Sequence, residues 1–133
     1  MDTEVDLRLG TLGQIAVPVR DFERAVEFYR DALGLPFLYQ FPPLAFFDCG
    51  GVRLLVEVPE SPEFQNHSSV LYFKVDDLDA AFAELGRRSV EFIDEPHLIA
   101  KMPDHELWMA FFHDGQGNTL ALMQERRARV TSA

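Results

Sequence analysis

Cysteine is nearly absent from this chain: Cys49 is the only one in 133 residues. A single thiol excludes an intrachain disulfide framework and a cysteine-based zinc cluster. Cys49 stands in an apolar strand ahead of Gly50 and Gly51, the setting of a small core residue. Long apolar runs are missing too, and none approaches the roughly 20 residues of a membrane-spanning helix. The opening MDTEVDLRLG lacks the basic-then-apolar order of a secretory signal, so a cytoplasmic location is expected. Positive charge is scarce: 12 Lys and Arg against 22 Asp and Glu leave a formal charge of −10. That balance speaks against nucleic acid as a partner, because phosphate backbones are held by basic surfaces. The acidic residues are scattered, and the short basic end RRAR reads as a solvated tail.

What is present is an ordinary globular composition, 47% hydrophobic and 26% charged, in a length suited to one domain. The stretch LGQIAVPVRDFERAVEFYRDALGL organises it. Ile15, Val17 and Val19 alternate as one face of a strand. Asp21 is placed to cap a helix, with Glu23 at its positive end and Gly34 as a left-handed exit. Phe22, Ala25, Val26, Tyr29, Ala32 and Leu33 fall on one helical stripe between them. Strands are then expected at about 37–41, 44–49 and 52–58, separated by Pro42-Pro43 and Gly50-Gly51. This is a β-α-β-β-β module spanning about 12–58.

A polar segment, 59–67, reads as a linker, and the pattern restarts. Leu71, Phe73 and Val75 form a strand face, Asp77 an N-cap, Leu78, Ala81, Phe82 and Leu85 a helix stripe, and Gly86 a stop. Val19, Asp21, Phe22, Ala25, Val26 and Tyr29 each find a counterpart 56 positions later, at Val75, Asp77, Leu78, Ala81, Phe82 and Leu85. Strands near 90–93, 107–112 and 118–124 complete a second module of about 68–124. Gly117-Asn118-Thr119-Leu120 repeats Gly51-Val52-Arg53-Leu54 at 66 positions. The reading is an internal duplication within one domain.

A β-α-β-β-β unit has a helix on one face of its sheet only, so the other face needs a partner or lines a cavity. Two such units predict an α+β fold: a curved mixed sheet with helices outside and a concave ligand cavity inside. Alternation sends Gln14, Ala16 and Pro18 of the first strand toward the concavity, with Arg53, Leu55 and Glu57 of the fourth. Ser68, Val70, Tyr72 and Lys74, then Thr119, Ala121 and Met123, do the same from the second module.

The segments GQIAVPVRDFERAVEFYRDALGL, LYFKVDDLDAAFAEL and FFHDGQGNTLALM resemble the vicinal oxygen chelate superfamily, which includes glyoxalase I, bleomycin-resistance proteins and extradiol dioxygenases. The likeness covers about 13–124. It implies the paired-module fold and, for the drug-sequestering members, a homodimer with the ligand between subunits. Metal-dependent members place one ligand on each of four inward strand positions. Those positions fall here on Gln14, Leu55, Val70 and Ala121. Only Gln14 offers a donor, whereas a divalent ion needs several N or O atoms converging on it. A metal-independent binding protein for a small organic ligand, with no cofactor, is therefore the expectation. The alternative is a metal-dependent lyase or dioxygenase with a rearranged site drawing on Gln14, Glu57 and one of His67, His97 or His105.

Whether the chain is an enzyme is left open by these residues. Glu57 is the catalytic candidate: a carboxylate among Leu55, Val70, Ala121 and Met123 suits a general base, unless Arg53 pairs it. Gln14, Arg53, Tyr72, His97, His105, Trp108 and Met123 are the ligand-binding candidates. Phe46 and Phe111 join them in an aromatic pocket as an alternative to plain core. The segment HLIAKMPDHELW is expected to cover one end of the concavity as a functional loop.

Overall fold

A computed structural model describes residues 6–60 and 69–127. The rest of the predicted linker, with His67 and Ser68, lies outside the described residues. The first module runs β1 (Gln14–Pro18), α1 (Phe22–Glu27), β2 (Phe37–Phe41), β3 (Leu44–Cys49) and β4 (Val52–Glu57). The second runs β5 (Leu71–Lys74), α2 (Leu78–Arg87), β6 (Glu91–Phe92), β7 (His97–Lys101), β8 (His105–His113) and β9 (Thr119–Arg127). Sheet order is β1-β4-β3-β2 in one module and β5-β9-β8-β6 in the other, with β7 also on β8. The α+β architecture of two modules is as the sequence predicts. Each module keeps its own mixed sheet, however, and no ladder joins the two among the described residues.

Both helices begin where a carboxylate caps them. Asp21 accepts from the Arg24 amide and Asp77 from the Ala80 amide, satisfying donors that a first turn leaves free. After Glu27 the first helix widens into a π-helical turn, Phe28–Ala32, closed by the Leu33 amide on the Phe28 carbonyl at 2.9 Å. The wider turn brings two successive aromatics inward, although Phe28 stands off the 3.6-residue stripe. Tyr29 packs on Phe47, and Phe28 packs on Phe112 of the second module.

Gly34, at φ 70°, is the left-handed exit of the first helix. In the second module Gly86 is inside α2, and the left-handed residue is Ser89 at φ 66°. The helix runs past its glycine because the Ser89 amide reaches the Gly86 carbonyl and the Val90 amide reaches that of Leu85. A side chain in this conformation costs roughly 1–2 kcal/mol, of which glycine's looser unfolded state returns about half. Ser89→Gly should therefore raise the melting temperature by about 2–4 °C in a thermal denaturation scan. A drop would show that the serine hydroxyl matters more than the backbone.

Module two repeats β-α-β-β-β once its edge strand is seen to be broken. β6 pairs with the end of β8 and β7 with its start. Between them the chain departs from the ladder at 94–96, where Pro96 has no N–H to give. Asp94 Oδ1 accepts instead from the Phe111 amide at 2.9 Å. The predicted covering loop at 97–108 is thus a β-hairpin continuing the sheet. Its ladder to β8 carries one register shift, between Leu98 and Ala100.

The core is continuous through both modules. Val17, Val19, Ala45, Phe47, Leu54 and Val56 of the first sheet join Ala110, Phe112, Leu120 and Leu122 of the second, with Tyr29 and Leu78 from the helices. A buried polar knot ties the modules at the turn between β8 and β9. Asp114, 3% exposed, accepts from the Tyr29 hydroxyl at 2.7 Å, the Gln116 amide at 2.7 Å, the Asn118 amide at 3.1 Å and Asn118 Nδ2 at 2.7 Å. Asn118 Nδ2 also donates to the Pro18 carbonyl, and Gln116 Oε1 accepts from the Arg20 and Asp21 amides.

Candidate functional site

The face of each sheet turned away from the helices is open. Tyr39, Phe41, Val70 and Tyr72 stay 41%, 66%, 37% and 48% exposed, so the described residues leave both faces uncovered. Register fixes what each face presents. On the first sheet, Gln14, Arg53 and Asp48 are neighbours in one row across β1, β4 and β3. Ala16, Leu55, Phe46 and Tyr39 make the next row, and Pro18, Glu57, Leu44 and Phe41 the third.

Arg53 and Glu57 share this face without pairing. Leu55 stands between them, and the guanidinium crosses the sheet toward Tyr39 and Phe46 in the row of Leu55. Its Nη1 donates to the Tyr39 hydroxyl at 3.2 Å, and its carbon lies 5.8 Å from the centre of the Phe46 ring. Glu57 sits at the end of β4 between Pro18 and Leu44, half-buried, with no ion pair among the described residues. Of the residues expected around it, Ala121 and Met123 belong to the other sheet and Val70 just precedes the first strand of that sheet.

On the second sheet Tyr72, Ala121 and Phe111 form one row, and Lys74, Met123, Met109 and His97 the next. Tyr72 meets Phe111 edge to face at 6.1 Å, and the His97 ring lies 6.5 Å from Phe111. His97 Nδ1 donates to the Glu95 carbonyl at 2.9 Å. In the neutral ring that bond leaves Nε2 as an acceptor. Tyr72 and, one row along, Met123 and His97 thus stand on one face of the second sheet, His97 as part of a strand and not of a covering loop.

His105 is not among them. It lies four residues along β8 from Met109, about 13 Å at strand spacing, opposite Arg127. Its Nδ1 is bound to Asp104 Oδ1 at 2.7 Å, and Arg127 holds the other oxygen at 2.8 Å. These two contacts, the histidine's first, hold the Asp104 carboxyl below the usual range.

Trp108 must be moved from the wall. It alternates with Met109 and faces the helix side beside Ala110 and Phe112. Arg126 stacks over its ring at 4.2 Å, and its Nε1 donates to Glu106. Tyr39, which fixes Arg53, was not singled out by sequence reasoning. The alternation of Tyr39 and Phe41 beside Phe46 was the signal available.

The four inward positions expected to hold a metal carry Gln14, Leu55, Val70 and Ala121, a donor set with one amide and three hydrocarbons. These residues do not fit a divalent centre. The rearranged set fares no better within one chain. Gln14 and Glu57 stand at opposite ends of the β1–β4 ladder, about 13 Å apart by strand rise. Among the described residues no three His, Cys, Asp or Glu side chains converge. A cleft of about 800 Å³ runs along β5 where it meets the β3–β4 turn, lined by Ile15, Val52, Leu54, Val70, Tyr72 and Phe73 among others.

Two halves, each a mixed sheet with a helix behind it and an open, partly apolar face in front, define an α+β scaffold of the paired-module kind. The chain belongs to the Glyoxalase/Bleomycin resistance protein/Dioxygenase superfamily, whose sequence profile it matches over residues 11–122. It is 31% identical over 126 residues to the Bacillus subtilis (strain 168) uncharacterized protein YraH, a match covering 82% of this chain and 94% of that one. Among solved structures it is similar to TnmS3, an antibiotic binding protein from Streptomyces sp. CB03234. That match has 27% identity and a TM-score of 0.71, covering 90% of this chain and 98% of the other. A glyoxalase/bleomycin resistance protein/dioxygenase from Alicyclobacillus acidocaldarius shares the fold at 19% identity and a TM-score of 0.68, over 86% and 91% of the two chains.

Proposed function

We propose that this protein binds a small, flat organic ligand without a metal ion, as a homodimer whose open sheet faces enclose the ligand. The observation that carries the reading is the wall itself: hydrocarbon at three of the four inward positions, flanked by Tyr39, Phe46, Tyr72 and Phe111. An aromatic surface of this kind holds a planar molecule by stacking and area burial, with a few polar groups for orientation. The likeness to an antibiotic binding protein supports the same reading. The exposed aromatics support a second copy as their cover, since apolar patches left in water mark interaction sites. The acidic surface and the absence of a long apolar helix among the described residues agree with a small molecule rather than nucleic acid or a membrane-spanning role. Glu57 stands on this wall as the group able to take a proton from a bound carbonyl compound, if the ligand is turned over. A cytoplasmic location completes the proposal.

Calorimetric titration of chelator-free protein with Zn²⁺, Ni²⁺ and Mn²⁺ should give no stoichiometric binding. Planar aromatic compounds should raise the melting temperature. Light scattering should give about twice 15.2 kDa. A tight, one-to-one divalent ion would overturn the metal-free reading in favour of a lyase or dioxygenase.

A further inference from the structure

We infer that Arg53, held by Tyr39 and Phe46 and flanked by Gln14, is the anchor for a carboxylate on a planar aromatic ligand. This deepens the proposed ligand binding by naming the ligand's charge and rests on that reading.

The first support is that Arg53 has no carboxylate partner among the described residues. In a chain of net charge −10, Arg24, Arg30, Arg87, Arg88, Arg126 and Arg127 each make an ion pair. Arg53, like Arg20, makes none among the described residues, although Asp48 and Glu57 share its face. Asp48 is engaged instead by the Gly51 amide at 2.9 Å. The second support is preorganisation. One edge of the guanidinium is held by the Tyr39 hydroxyl, and the plane lies near the Phe46 ring. The remaining N–H groups are left for a ligand at little further cost in side-chain freedom. The third is Gln14, the register partner of Arg53 on β1, exposed and making no side-chain hydrogen bond among the described residues. Its amide adds a donor at the same spot.

A planar fork of N–H donors matches the two oxygens of a carboxylate, and charge-assisted pairs of this type are the strong ones. The neighbouring Phe46 and Leu55 supply the flat apolar bed for the rest of the molecule. Charge sets the limit: Asp48 and Glu57 already outnumber Arg53 on this face, so the guanidinium can pair one ligand carboxylate directly and a second has no cation to meet. A monocarboxylate fits, and a dianion is repelled. Arg53 here is a binding residue, with no claim on any proton transfer.

The test uses the full-length protein with 2-naphthoate, its neutral counterpart 2-naphthalenemethanol and the dianion 2,6-naphthalenedicarboxylate, titrated by calorimetry at low and at 0.5 M salt. The expected result is binding of naphthoate about tenfold or more tighter than the alcohol. The preference should shrink at high salt, and the dicarboxylate should bind more weakly than the monocarboxylate. In Arg53→Ala the preference for naphthoate should vanish while the alcohol binds as before. Arg53→Lys should recover only part, because it keeps the charge and loses the fork. Arg53 is exposed, so these variants should melt with the wild type. Equal binding of acid and alcohol, or a preference that survives Arg53→Ala, would overturn the inference and leave a neutral-ligand site standing. Failure of both probes to bind would overturn the inference and the apolar-ligand reading beneath it.

Discussion

Asp114→Ala should destabilise the protein by about 3–4 kcal/mol, read as a fall in the urea midpoint at unchanged slope. The carboxylate accepts four hydrogen bonds in a site 3% exposed, and its loss leaves the Tyr29 hydroxyl and two backbone amides without acceptors. Each such buried orphan costs about 1–3 kcal/mol, less what is regained by no longer burying a charge. Tyr29→Phe should cost less, about 1–2 kcal/mol, because Asp114 then keeps its other donors. A cost below about 1 kcal/mol for Asp114→Ala would mean that the knot between modules carries no stability.

The same pair predicts an alkaline limit. Burial first, then the Asp114 charge and hydrogen bond, push the Tyr29 hydroxyl far above its ordinary value of 10.0. The folded state therefore holds the proton where the unfolded state releases it. That contribution is complete below the unfolded value and is lost as pH rises above it. The stability difference between wild type and Tyr29→Phe should be flat below about pH 10 and shrink by about 1.4 kcal/mol per pH unit above it. A difference that stays constant to pH 11 would contradict this.

Phe112→Ala should cost about 3–5 kcal/mol. The ring is fully buried between Phe28 of the first module and Phe92 of the second, 6.5 and 5.4 Å away. Truncation empties a space that both modules line, and neither can close it alone. The variant should still unfold in one step, with far-ultraviolet and near-ultraviolet signals coinciding, because the core is shared. Two separate transitions would show that each module holds its own stability.

Much of this was legible in the chain. The strand and helix periods placed β1, α1, β5 and α2, since a face buried against a neighbour must be apolar at that neighbour's spacing. Alternation likewise put Gln14, Arg53, Leu55 and Glu57 on one face of the first sheet, and Tyr72, Ala121 and Met123 on one face of the second. What the periods cannot carry is a local break in the backbone. The π-helical turn adds a residue and recruits Phe28. Ser89 takes the left-handed turn through hydrogen bonds formed past Gly86. The departure at 94–96 turns a seeming loop into an edge strand, because β7 finds its partner only when β8 is beside it.

The site divides in the same way. By itself, the sequence determined the duplicated α+β fold, the face taken by the residues of β1, β4 and β9, and the hydrocarbon at three inward positions. Those follow from alternation and from which atoms can donate. Only the tertiary structure decided the rest. Trp108 lies behind the sheet under Arg126, His105 stands apart with Asp104, and Arg53 reaches Tyr39 and Phe46 instead of Glu57. The modules, too, are joined by the Asp114 knot and a common core rather than by a sheet. Each is a choice between partners that one residue's spacing leaves equally open, and the choice is made by cross-strand register and packing.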